Sequence, residues 1–349
     1  MKKLADTYFL ASIALVCVYL VILAGSIVRV TGSGMGCPDW PKCFGYVIPP
    51  TDQEVLTIAA GKSFHQGQMV IHHDTLWVAQ YPVVINDQLD FFNKGSEAAW
   101  KKYQKHDYAI FNPVHTWIEY INRLLTGILG FPVLLLFVMA LRDGVKTKKW
   151  SVSFWSGLTL TFMLYEAWLG KLVVDGELSK GKVTLHMLGS LGIVIALMKA
   201  RSESRANGVP EVNLAKKWWI IGMGLVLCQM ILGTQLREVV DQVIKNGWER
   251  NQWMDQVLLS GERMVFYIHR TFSWVLVAYL FWLASGLIKI KRKIWANALM
   301  MVVAAETILG VLLNYFEFPA FAQPTHLLLS FVLFGILLNG FLTKSTHIG

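Results

Sequence analysis

His186, His269 and His326 each fall within the first few residues of a long apolar stretch, and Glu166 and Glu306 fall late in such stretches. Ionisable groups inside a bilayer cost on the order of 2.5–3.5 kcal/mol on insertion scales and are functional by default. Two imidazoles at one depth on facing helices suit a haem iron gripped through both axial positions, and His269 and His326 meet that description. Arg270 and Arg237 at the same level suit the haem propionates, because a guanidinium forks onto a carboxylate. A lone histidine of this kind reads as a packing or interfacial residue. Two at matched depth in a repeat do not.

The elements that must position these groups are membrane helices. Of 349 residues, 54% are hydrophobic and only 16% charged, with a mean hydropathy of +0.46. Soluble domains carry roughly 25% charged residues, so composition alone places the chain in a bilayer. Eight stretches are long and apolar enough to span: 7–30, 113–141, 150–172, 183–199, 217–237, 264–288, 294–315 and 323–343. The fourth is short and begins in the interface. The first is uncharged from Thr7 to Val28, longer than the roughly 7–15 residues of a signal-peptide core, which predicts a retained helix. Trp117, Trp150, Trp155, Trp218, Trp219 and Trp295 near span ends predict an interfacial belt.

The net charge of +9 is not a nucleic-acid signature, because of where it lies. Lys2, Lys3, the links 142–149, 199–217 and 289–293, and Lys344 hold sixteen basic residues. Against them stand four acids, Asp6, Asp143, Glu203 and Glu211, giving that side +12 and leaving −3 for the rest. The positive-inside rule then makes both termini cytoplasmic and turns 31–112 and 238–263 outward. The expectation is a multi-pass protein of the cell (inner) membrane, with every marked polar group near the outer face. The middle of the long outer segment, Lys94–Lys105, reads as a short amphipathic helix.

Four pairs of landmarks make helices five to eight a second copy of helices one to four. Gly25-Ser-Ile-Val-Arg29 matches Gly233-Thr-Gln-Leu-Arg237, and Tyr120-Ile-Asn-Arg123 matches Tyr267-Ile-His-Arg270. Glu166-Ala-Trp-Leu-Gly170 matches Glu306-Thr-Ile-Leu-Gly310, and His186 with Ser190 matches His326 with Ser330. An even number of helices per unit gives both copies the same orientation. The predicted fold is an all-α integral membrane protein of two tandem four-helix bundles, related by a pseudo-twofold axis along the membrane normal. Residues 1–205, with the outer loop 31–112, form the first and 206–349 the second.

The first unit breaks the symmetry. The partner position of His186 holds Asn122, a poor haem ligand, while His115, Glu119, Asn122 and Thr126 share one helical face. The second-unit equivalent of Glu119 is Phe266. A two-histidine redox site beside a site with an extra carboxylate predicts a cofactor site next to a reaction site.

At these residues the chain resembles the haem A synthase family. The signature is Arg29-Val-Thr-Gly-Ser-Gly-Met-Gly-Cys-Pro-Asp-Trp-Pro-Lys-Cys43, joined by Glu119-Tyr-x-x-Arg123, His186, His269-Arg270 and His326. The resemblance implies an enzyme that oxidises a ring methyl of haem O to the formyl group of haem A by successive hydroxylations, with oxygen derived from water. It implies a permanent haem b on His269 and His326, flanked by Arg270 and Arg237. The substrate haem would lie in the first unit on His186, near Asn122, Arg123 and Arg29, with Glu119 as the carboxylate of the chemistry. Activating a methyl C–H needs a redox metal and a nearby proton acceptor, which agrees. Implied partners are haem O synthase (a farnesyltransferase), terminal oxidase assembly, the lipid bilayer and a homo-oligomer, with no nucleic acid.

The family commonly has His where Asn122 stands, so the ligand opposite His186 stays open. One alternative is a five-coordinate haem with the Asn122 side open to water or hydroxide. Another is ligation by His115, His65, His72, His73 or His106, although His115 lies about 10 Å of helix rise from Asn122. Cys37 and Cys43 face an oxidising compartment and are close enough in sequence to pair, either to pin the loop or to act as a redox couple. His72-His73 without a third partner reads as solvated loop rather than metal site. Gly32-Ser-Gly-Met-Gly36 lacks the strand and the Lys-Ser/Thr ending of a phosphate loop. A di-haem b electron-transfer protein would place haems at both depths, and a transporter would break its helices at midplane. Neither fits as well.

Overall fold

The computed structural model describes residues 2–86, 98–104, 111–175, 181–205, 214–245, 255, 257, 263–316 and 318–343. Within them lie eight long helices: α1 (Lys2–Val30), α2 (Pro113–Thr147), α3 (Ser151–Asp175), α4 (Lys182–Glu203), α5 (Lys216–Lys245), α6 (Arg263–Lys289), α7 (Lys293–Tyr315) and α8 (Ala322–Phe341). Every apolar stretch expected to be helical is helical. Among the described residues, seven of the eight helices are long and apolar enough to cross a membrane, and α3 is the exception. Its 25 residues have the length. Its composition is diluted by Tyr165, Glu166 and Lys171, and by the buried polar positions Ser153, Ser156 and Thr159. These small hydroxyls satisfy themselves on backbone carbonyls: Ser153 on Ala140 of α2, Ser156 on Val152 and Thr159 on Trp155. Such residues are what membrane helices use where they pack closely.

Many large apolar side chains point outward, among them Ile294 (84% exposed), Phe131 (75%) and Leu164 (72%). Leaving a side chain of that size in water forgoes about 1.5–3 kcal/mol each, so the solvent of this surface is lipid. The chain is a multi-pass, mostly helical membrane protein.

It divides into two compact units. One comprises Met1–Ser26, Thr126–Ala167 and Ser179–Gly349 and is the helical bundle. Within it, α5 packs on α6 and α8, and α7 packs on the same two, which closes a four-helix ring; α4 lies against α8 and α5. Leu280, Leu283 and Leu287 of α6, Leu299 of α7 and Leu337 of α8 fill its interior. Trp219, expected in an interfacial belt, is instead fully buried in this core. Gly340 on α8 leaves the space its indole takes.

Helix α5 runs past the expected end near 237. Val239, Val240 and Val243 in its extension bury themselves with Phe266 of α6, Phe318 and Val257. A strip of apolar residues at helical spacing thus prolongs the helix beyond its polar Arg237.

The other unit comprises Ile27–Leu125 and Trp168–Leu178. It holds five short strands: β1 (Ser63–Phe64), β2 (Met69–His72), β3 (Thr75–Ala79), β4 (Val83–Val84) and β5 (Trp100–Lys102). Strands β1 and β4 pair, and β2-β3-β5 form a second antiparallel sheet. The expected amphipathic helix over Lys94–Lys105 is not formed in its described part. Trp100–Lys102 is strand, paired to Trp77–Ala79, with Trp100 buried and Lys101 and Lys102 exposed. Residues 94–97 and 105 lie outside the described residues. His73 and Asp74 form the turn of the β2–β3 hairpin with φ of 48° and 52°, the left-handed pair that a two-residue turn requires.

Candidate functional site

Two of the repeat landmarks turn out to be one construction made twice. On α3 and α4, Glu166 Oε2 lies 2.7 Å from His186 Nδ1 and accepts a hydrogen bond from Ser190 Oγ at 3.1 Å. On α7 and α8, the Glu306 carboxylate pairs with His326 Nδ1 and accepts from Ser330 Oγ at 2.7 Å. Both serines sit one turn after their histidine, so the same face of the helix meets the acid twice. The acids had been recognised in sequence as markers of the repeat, but not as partners of the histidines. The signal was their constant spacing of 20 residues from His186 and from His326.

His269 is built differently. Gln229 of α5 donates its Nε2–H to the His269 backbone carbonyl at 3.1 Å and stands 3.5 Å from His269 Nε2. The buried Nδ1 has no hydrogen-bond partner among the described residues. Its ring edge rests against Gly233, where even a methyl group would come within 3.2 Å of Cε1. His269 stands on α6 and His326 on α8, two helices of the same ring. Among the described residues no cluster of three or more His, Cys, Asp or Glu forms a metal cage. A haem needs none, since the porphyrin supplies four nitrogens and asks the protein only for axial ligands. An imidazole whose buried Nδ1 has no hydrogen-bond partner among the described residues, in the same ring as another whose Nδ1 lies against a carboxylate, fits that demand.

The arginines expected near such a group are engaged. Arg237 pairs with Asp241 at 2.5 Å and lies over the Phe318 ring. Arg270 donates to Tyr315 Oη at 2.8 Å and is largely exposed. Arg29 stands in the last turn of α1.

Glu119, Asn122, Arg123, Arg29 and both loop cysteines belong to the compact unit that holds the strands, whereas His186 belongs to the bundle. Helix α2 begins cleanly, with Asn112 Oδ1 accepting from the Val114 and His115 N–H groups and Pro113 in the first turn. One turn further on, Glu119 is buried, and it is not idle. Its Oε2 accepts the Cys37 N–H at 2.9 Å and its Oε1 pairs with Arg123. Arg123 also donates to the carbonyls of Asp39 (2.6 Å), Lys42 (3.1 Å) and Cys37 (3.4 Å). The Cys37–Cys43 disulfide is formed, with both residues buried. Thr116 Oγ1 donates to the Gly36 carbonyl at 2.9 Å, and Tyr103 Oη to that of Pro38 at 2.5 Å. At Gly36 the loop touches the α2 backbone itself, so that any Cβ would strike the His115 carbonyl. The glycine, cysteine, proline and aspartate of the sequence signature are therefore one small knot folded on α2. Burial pushes the Asp39 carboxyl above its usual value, although the Gly45 and Phe44 N–H groups and Arg123 pull the other way.

The chain matches the model of the cytochrome oxidase assembly protein family (COX15-CtaA) over residues 8–81 and 90–338. A protein of Shewanella oneidensis named haem A synthase is 25% identical over 230 residues, which cover 64% of this chain and 55% of that protein. A protein of the same name from Flavobacterium psychrophilum is 18% identical over 341 residues, covering 90% of this chain and 91% of its own length. The match thus spans about half the length of the Shewanella relative and nearly all of the Flavobacterium one.

Proposed function

Because the chain belongs to the cytochrome oxidase assembly protein family, we propose that it is a haem A synthase, a membrane oxidoreductase that converts a ring methyl of haem O to the formyl group of haem A for terminal oxidase assembly. The observation that carries the reading is the closed α5–α8 ring, with His269 on α6, His326 on α8 and the His269 ring packed against Gly233 of α5. These two histidines are the proposed axial ligands of a resident haem b, with Arg237 and Arg270 for its propionates. Once bound, that haem supplies one-electron redox chemistry.

In this reading the chain has eight spans in two four-helix units, 1–205 and 206–349, with both termini cytoplasmic and the haem sites near the outer face of the cell membrane. The first repeat, 1–205, takes haem O as substrate, with His186 as the proposed axial ligand and Asn122, Arg123 and Arg29 as proposed haem-binding residues. Glu119 is the proposed proton acceptor. Each of its oxygens uses one lone pair, on Cys37 N–H or on Arg123, and keeps another for a proton leaving the methyl group. Each hydroxylation with an oxygen from water releases two electrons, which an external electron acceptor would have to take, and two protons, for which a base beside the methyl is required. Haem O synthase is the proposed supplier of substrate, and a homo-oligomer the proposed assembly.

The test is to purify the protein from haem-replete cells and separate its extracted haems by chromatography. Haem O and haem A beside haem b support the synthase. Haem b alone, unaltered by Glu119→Ala or His186→Ala, would leave a di-haem electron carrier instead.

A further inference from the structure

Glu166 and Glu306 lie outside the proposed ligand set, yet each is built against one histidine of that set. A carboxylate on Nδ1 fixes the tautomer of an imidazole, leaves the Nε2 lone pair for a metal, and strengthens that nitrogen as a donor. Serine completes both arrangements by donating to the carboxylate, Ser190 to Glu166 and Ser330 to Glu306. Near Ser190 the α4 backbone is bare at Gly189, where a side chain would occupy the volume of the Glu166 carboxylate and press on the Tyr165 ring at 3.1 Å. His269 has no such acid among the described residues: the Glu306 carboxylate lies against His326, whereas Gln229 holds the His269 backbone.

We infer that Glu166 and Glu306 are positioning residues, each holding the Nδ1–H of its histidine so that Nε2 is presented to a haem iron as the stronger donor of its site. The inference rests on the haem reading above. It makes the resident site unequal, with His326 carboxylate-backed and His269 not. In the first repeat, His186 is backed by Glu166 in the same way. Stronger donation stabilises ferric over ferrous iron, so the carboxylates lower the potential of whatever haem their histidines hold.

The experiment uses the full-length protein in detergent after haem-replete expression, with Glu306→Gln, Glu306→Asp, Glu306→Ala and the control His326→Ala. Three quantities are read: haem b per protein, its rate of loss to apomyoglobin, and its midpoint potential. Glu306→Gln is expected to keep its haem and to show a higher midpoint potential, which a merely structural role would not move. Glu306→Ala is expected to weaken haem retention roughly 10- to 100-fold. If Glu306→Gln does not accumulate, Glu306→Asp carries the test, because it keeps the charge but withdraws it by one methylene; its potential should rise too. An unchanged potential in the variants that fold, with wild-type retention in Glu306→Ala, overturns the inference. In the first unit, Glu166→Gln should lower co-purifying haem O and haem A at unchanged haem b. A haem-free wild type, or full haem in His326→Ala, would instead overturn the haem reading, and this inference with it.

Discussion

The Cys37 N–H donates to Glu119 Oε2 at 2.9 Å, joining a disulfide-closed loop to a helix 82 residues further along the chain. This bond gives Glu119 a duty besides chemistry. Glu119→Ala orphans a buried backbone donor, which costs about 1–3 kcal/mol, and strips Arg123 of its anionic partner. The loop should then open more readily, with reduction of Cys37–Cys43 faster on the order of tenfold to hundredfold. Glu119→Gln keeps an acceptor for Cys37 and should slow that reduction towards wild type while remaining inactive. Timed alkylation of the cysteines under mild reductant separates the two duties; equal reduction rates in all three proteins would leave Glu119 no part in holding the loop.

Arg123 gathers three loop carbonyls and one carboxylate into a single planar fork. A lysine restores the charge but reaches these acceptors one at a time. Arg123→Lys is therefore expected to lose about 1.5–3 kcal/mol of loop stability, the worth of one charged hydrogen bond. Limited proteolysis within 37–45 should detect it, with bundle helicity unchanged.

The raised Asp39 carboxyl predicts a pH effect with a definite sign. A group that holds its proton more tightly when folded adds stability below its ordinary value of 3.8, and that contribution is lost as pH rises through the higher folded value. Loop stability should fall across this window in the wild type, and the slope should vanish in Asp39→Asn. Melting or reduction rates from about pH 3.5 to about pH 7 measure it.

How much of this was legible in the sequence differs by element. The helices were, because apolar runs of spanning length have few other uses; the histidines stand out in those runs because an imidazole there needs a reason, and their haem role is part of the proposal. Glu166 and Glu306 were visible as repeated letters, but which helix faces which is a tertiary fact that a 20-residue spacing does not encode. The strands were missed since β5 is three residues long, and one buried tryptophan followed by two exposed lysines reads equally as one helical turn. Trp219 was misplaced for a similar reason: its burial is decided by Gly340, more than a hundred residues away.

Gly233 is a steric gate for His269. Alanine there would put its methyl 3.2 Å from Cε1, so the ring must yield by a few tenths of an ångström, and leucine leaves it no place. Haem b content should fall modestly in Gly233→Ala and be lost in Gly233→Leu. Gly224→Ala on the same helix meets nothing within 4 Å and serves as the control. It should keep its haem and gain up to about 1 kcal/mol from helix propensity.

Glu238, in the extension of α5, lies against the Gly181 N–H at 3.2 and 3.3 Å, at the start of the helix that carries His186. Thr184 and Thr234 add a second hydrogen bond between the same two helices at 3.0 Å. A carboxylate at a helix N-terminus satisfies an orphan donor and complements the helix dipole, worth about 0.3–1 kcal/mol when exposed and more when partly buried. Glu238→Ala should fray the first turn of α4, raising hydrogen exchange over 182–186 by roughly two- to fivefold, and Thr234→Val should do so by less. Because both bonds restrain one turn, the double variant should exceed the sum of the two, as coupled neighbours do. Frayed or not, the turn sits one residue short of His186, so its looseness should also appear as faster loss of haem O and haem A at constant haem b. Exchange that rises with no change in that loss would confine Glu238 to capping the helix.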